Sequence, residues 1–111
     1  MKRFLFTNKS KLGTSGISDD DHMVKLAGSR ATVRYSVTAA SNLVLCVKLA
    51  LRPVAAQFTE IYIDGEYPTR KTFTADGADH ITIDGLTPDM YMAVDVVSGT
   101  GTFTWEVLTS E

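Results

Sequence analysis

The chain has 111 residues and a mass of 12.1 kDa, which suits one domain and leaves little room for a second. With 44% hydrophobic and 22% charged residues it has the make-up of a folded globular protein, neither disordered nor fibrous. No apolar run approaches the ~18–20 residues that cross a bilayer, and a net charge of −2 argues against a nucleic-acid partner.

The charge is uneven. Residues 1–55 carry nine Lys or Arg against three Asp, whereas residues 56–111 carry two basic residues against ten acids. Such opposite fields are satisfied either by folding one half on the other or by head-to-tail contacts between copies.

Residues 1–21 read as an N-terminal arm or edge segment and 22–111 as the folded domain. The start is basic, but its apolar stretch, Phe4-Leu5-Phe6, is too short for a signal peptide, so the chain is expected to be unprocessed and made in the cytoplasm. The lone Cys46 agrees with a reducing compartment. Phe4, Leu5 and Phe6 are candidate apolar anchors for a protein partner.

Period-two alternation dominates from Arg30 onward. Ala31, Val33, Tyr35 and Val37 alternate with polar residues, and Leu43, Leu45, Val47, Leu49 and Leu51 fall on one side of the next run. Joining these runs as a hairpin through Ala39-Ala40-Ser41 sets Val37 opposite Leu43, Tyr35 opposite Leu45 and Val33 opposite Val47. That register also collects Arg30, Arg34, Lys48 and Arg52 into one outer basic patch, a second candidate interface.

Phe58–Ile63, Lys71–Thr74, His80–Ile83, Met90–Val97 and Thr102–Leu108 follow as strands, with Gly99-Thr100-Gly101 as a hairpin turn between the last two. Thr occurs fourteen times, mostly within these runs, where β-branching suits a pleated surface. Trp105 shares a face with Phe103 and Val107, as a core residue would. The pattern I-x-I-D-G-x-x-P occurs at 61–68 and again at 81–88, each copy a strand running into an Asp-Gly turn. The expected fold is all-β: a single antiparallel β-sandwich of about seven to nine strands with an N-terminal arm.

Chemistry is harder to find. No G-x-S-x-G motif occurs, Cys46 lies among apolar strand residues, and no glycine-rich loop opens a helix. The densest donor sets are Asp19, Asp20, Asp21 and His22, then Asp76, Asp79 and His80. Neither has the spacing of a calcium loop or a zinc site, so they read as turn residues, and no metal or cofactor is expected. Tyr62 and Tyr67, with Asp64 and Glu66 beside them, are the candidate glycan-binding residues, because sugar rings stack on exposed aromatics.

Ile83-Asp-Gly-Leu-Thr-Pro-Asp-Met-Tyr-Met-Ala-Val94 resembles the corner of fibronectin-type sandwiches, where a Leu-x-Pro turn precedes a Tyr-bearing strand. As a whole the short, Thr-rich, cysteine-poor chain with its basic start resembles the small virion proteins of tailed bacteriophages. That resemblance implies a non-enzymatic structural protein, made in the host cytoplasm and located in the virion. It would decorate or cement the capsid, or serve as another minor head or tail protein. Its partners would be major capsid or head–tail proteins and other copies of itself, with no nucleic acid and no membrane. The alternative is a carbohydrate-binding accessory module.

Overall fold

In a computed structural model of the chain, residues 2–7, 23–54 and 57–110 are described. Among them seven strands form one antiparallel hydrogen-bonded sheet: β1 (Lys2–Thr7), β2 (Val24–Lys25), β3 (Arg30–Ala50), β4 (Thr59–Glu60), β5 (Lys71–Phe73), β6 (Gly77–Ile83) and β7 (Tyr91–Ser110). The fold is all-β, as the alternation predicts. No helix in the described residues is long and apolar enough to cross a membrane.

Two strands build everything else. β3 has 21 residues and β7 has 20, and they pair from Arg30↔Ser110 to Ala50↔Tyr91. Their ladder shifts register between Thr38 and Leu45, where Ala39 (φ 54°), Asn42 (φ 48°) and Gly99 (φ 83°) adopt left-handed backbone. Such irregularities bend a paired strand without ending its pairing. Asp76 Oδ1 accepts a hydrogen bond from the Ala39 N–H at 2.8 Å and braces the bend.

This overturns two expectations. Ala39-Ala40-Ser41 does not close a hairpin, so Val37 faces Phe103 and Gly77 instead of Leu43. Gly99-Thr100-Gly101 likewise lies within β7, with Thr100 opposite Ser41. Left-handed residues mark a change of chain direction. Only the partner strand decides whether that change is a reversal or a shared bend.

The bend divides the sheet into two arms. In the first, β1 and β6 flank β7(102–110) and β3(30–38), giving the order β1-β7-β3-β6. In the second, β2 borders β7(91–98), while β4 and β5 follow one another along β3(43–50). Val33, Tyr35, Val37, Phe103, Trp105 and Val107 from the first arm share one core with Leu43, Leu45, Val47, Met92 and Val94 from the second. Trp105, only 1% exposed, sits there with Phe103 and Val107 as expected. A smaller cluster of Met23, Ala50, Phe58 and Ala93, against which Tyr91 packs, covers part of the second arm's other face.

Folding brings the chain's unlike halves together. Lys25 pairs with Asp89 (3.7 Å), Arg30 with Asp84 (3.4 Å) and Lys48 with Asp95 (2.6 Å), each a basic residue of the first half with an acid of the second. The first two are exposed and worth little individually. Asp95 is 1% exposed and its pair with Lys48 belongs to the interior.

Candidate functional site

The most organised exposed surface lies between β4 and β5. Both short strands pair with β3, at Lys48↔Glu60 and at Leu45↔Lys71, so residues 61–70 project from the same edge. Leaving β3 for ten residues exposes the backbone of Val47, which must find other partners. Thr69 supplies them: its buried hydroxyl accepts from the Val47 N–H at 3.0 Å and donates to the Val47 carbonyl at 3.5 Å. The Ile61 N–H also reaches that carbonyl, at 3.4 Å.

Outside this anchor the segment makes a tight hairpin. Ile63 and Glu66 exchange two backbone hydrogen bonds (2.9 and 3.0 Å) around Asp64 (φ 52°) and Gly65 (φ 84°). Two successive left-handed residues are what an Asp-Gly hairpin turn requires. A second turn closes from the Arg70 N–H to the Tyr67 carbonyl at 3.3 Å. The other copy of the repeat, at 81–88, ends in a similar Pro turn, closed by Met90 N–H to Thr87 carbonyl at 3.4 Å. The first half differs: the described structure gives Ile63–Glu66 a bridge and no such bridge at Ile83. The Phe58–Ile63 run accordingly shortens to Thr59–Glu60, because Ile63 already pairs within the turn.

The side chains are held as firmly as the backbone. Arg70 makes a two-pronged contact with Glu60, Nε to Oε2 at 2.7 Å and Nη2 to Oε1 at 2.9 Å. Its guanidinium lies over the Tyr67 ring, 4.1 Å from the centroid, and the Tyr62 ring sits 4.9 Å from Tyr67 at an angle of 59°. Charge–ring attraction and a fork-shaped ion pair thus fix three side chains in one geometry. Tyr62 remains 59% exposed, Ile63 57% and Tyr67 43%.

Tyr62 and Tyr67 therefore come together on the surface, with Asp64 and Glu66 in the intervening turn. Their rings are tilted and Tyr67 is engaged by Arg70, so they form an angular ridge instead of a flat platform. Arg70 and Glu60 brace this ridge and were not singled out by sequence reasoning. Opposite charges flanking an Asp-Gly hairpin are the signal that points to them.

The other candidates are dispersed. Arg30 and Arg34 lie on the first arm; Arg34 stands between His80 and Glu106 across the strands. Lys48 is on the second arm, between Glu60 and Ala93, and the exposed Arg52 follows β3. The hairpin register that grouped these four does not form. Phe4, Leu5 and Phe6 occupy β1 opposite Val107, Glu106 and Trp105. The arm beyond Thr7, including Asp19 to His22, lies outside the described residues.

A shallow hollow of about 390 Å³ opens on the first arm among Thr32, Arg34, Asp79, His80, Glu106 and Leu108. Asp79 accepts from the His80 N–H at 2.8 Å, which with the nearby Lys71 holds its carboxyl below the usual carboxylate range. Asp76 caps a backbone amide as a turn residue does, but Asp79 and His80 lie within β6, paired with Tyr35 and Arg34, so the turn reading does not hold for them. Among the described residues no group of three or more His, Cys, Asp or Glu is placed to hold a metal ion.

Cys46 is fully buried, and that burial, followed by the charges of Glu60 and Asp95, pushes its thiol up to about 12. The thiol stays protonated at neutral pH and serves as a small hydrophobe. No protein-family model matches the sequence, and no curated protein gives a significant match.

Proposed function

We propose that this chain is a non-enzymatic structural protein of a tailed-phage virion. It would decorate or cement the capsid, or act as another minor head or tail protein, through contacts with virion proteins and with copies of itself. We also read the bent sheet as a β-sandwich, a reading supported by the single core that its two arms share. The observation that carries the function is the ridge of Tyr62 and Tyr67, exposed yet braced by the Arg70–Glu60 pair against the Tyr67 ring. Tyr and Arg supply a disproportionate share of protein–protein binding energy, and side chains fixed beforehand lose little entropy on docking.

Attachment tests it. Purified protein is expected to co-sediment with particles assembled without it. The Tyr62→Ala, Tyr67→Ala double variant should bind at least tenfold more weakly with its melting temperature within a few degrees of wild type, as exposed sites allow. Equal binding by the variant would remove the ridge from the interface.

The pairing of two exposed tyrosines with Asp64 and Glu66 favours a second reading, a carbohydrate-binding module. Saturable binding on a glycan array, lost in the same double variant, with no attachment to particles, would favour it over the first.

A further inference from the structure

The four-stranded order β1-β7-β3-β6 of the first arm leaves a strand at each side that, among the described residues, pairs on one edge only. Every pairing in that order is antiparallel, so β1 runs with β3 and against β6. Copies placed side by side without reversal therefore bring β6 of one against β1 of the next in antiparallel orientation. The alternation of strand directions then continues unbroken from copy to copy.

The two edges also match in length and oppose in charge. β1 has six residues and β6 seven. β1 carries Lys2 and Arg3 and no acid, whereas Asp79 lies in β6 and Asp76 and Asp84 flank it. All three acids are exposed, and Asp79 and Asp84 also touch Lys71 and Arg30 at 3.4 Å. β6 is largely exposed: only Ile81 and Ile83 are half-buried, both packed against the core.

Exposed edges of this kind are templates for another strand, and main-chain hydrogen bonds supply the affinity when one is added. We infer that the chain assembles head to tail, β6 of one copy pairing with β1 of the next, into a ring or a filament. Like-with-like pairing would set a basic edge on a basic edge and an acidic edge on an acidic one. The inference rests on the self-association part of the proposed function and names its surfaces.

Mixing two edge-blocked variants tests it. Lys2→Glu with Arg3→Glu blocks β1, and Asp79→Lys with Thr82→Lys blocks β6; circular dichroism confirms that each is folded. By light scattering across a concentration series, wild type should exceed twice the 12.1 kDa monomer mass. Each variant alone should remain a monomer, and an equimolar mixture should stop at a dimer, because one working edge survives on each partner. Wild type that stays monomeric at millimolar concentration would overturn both this inference and self-association. Wild type that assembles while the variants assemble equally, or whose variants fail to form the mixed dimer, would overturn the edge pairing alone.

Discussion

Gly99→Ala is expected to cost about 2–5 kcal/mol, a large part of the ~5–15 kcal/mol that holds a domain of this size together. The first contribution is conformational: at φ 83° a side chain costs about 1–2 kcal/mol. The second is steric. A Cβ there would overlap the Asn42 carbonyl oxygen and lie 2.8 Å from the Leu43 Cα, so backbone on both long strands must move. Overpacking of that kind adds about 1–3 kcal/mol. Gly85→Ala is the control, since its φ is 75° but a Cβ there meets nothing within 4 Å. Thermal melting should drop by roughly 10–25 °C for Gly99→Ala and by less than half of that for Gly85→Ala. Equal losses would mean that the bend does not depend on the close approach of β7 to β3.

Lys48→Met should destabilise the protein by about 2–4 kcal/mol, because it takes the lysine counter-charge from a carboxylate inside the fold. Lys48 is 25% exposed and Asp95 1%, so water screens the pair only from one side. The double variant Lys48→Met, Asp95→Leu should recover much of the loss, since apolar replacements of similar volume suit that environment. Denaturant unfolding of wild type, this double variant and the two single variants, Lys48→Met and Asp95→Leu, measures the coupling.

The pH dependence has a definite sign. Burial lowers the Lys48 pKa, but the hydrogen bond and charge of Asp95 more than offset it, and the net shift is upward. The contribution of Lys48 is therefore complete below about pH 10.4 and is lost as pH rises through its folded pKa. Wild type and Lys48→Met should converge in stability at the alkaline end and stay apart at neutral pH. Cys46 acts in the same direction in both proteins, from its ordinary 9.0 up to about 12.

The inward set Ala31, Val33, Tyr35, Val37 and Leu43, Leu45, Val47 was readable from alternation, because burial on one face of a strand leaves a period of two; Leu51, in the same expected row, falls past the end of β3 and is exposed. The same holds for Phe103, Trp105 and Val107. What alternation does not encode is which strand lies beside which. Ala39 and Asn42 carry no marker that separates a reversal from a bend, and the answer resides in Gly99, some sixty residues away. Asp95 looked like any strand acid, and only the cross-strand arrangement makes it an internal partner of Lys48. Val24–Lys25 was invisible for a different reason: two residues are too few to show a period.

At the candidate site, Tyr62 and Tyr67 were legible as exposed aromatics beside an Asp-Gly turn, but alternation misleads there, since Ile63 is nearly as exposed as Tyr62. The contact between the two tyrosines was not legible, because it depends on the left-handed pair Asp64-Gly65 folding the segment back on itself. The Glu60–Arg70 clamp is a consequence of the same fold-back.

The most direct measurement is the copy number of this chain in gradient-purified phage particles, counted by quantitative mass spectrometry against the major capsid protein. The structural role predicts a fixed ratio that survives repeated purification and is reproduced between preparations. A chain that is abundant in infected cells but missing from the particles would contradict it.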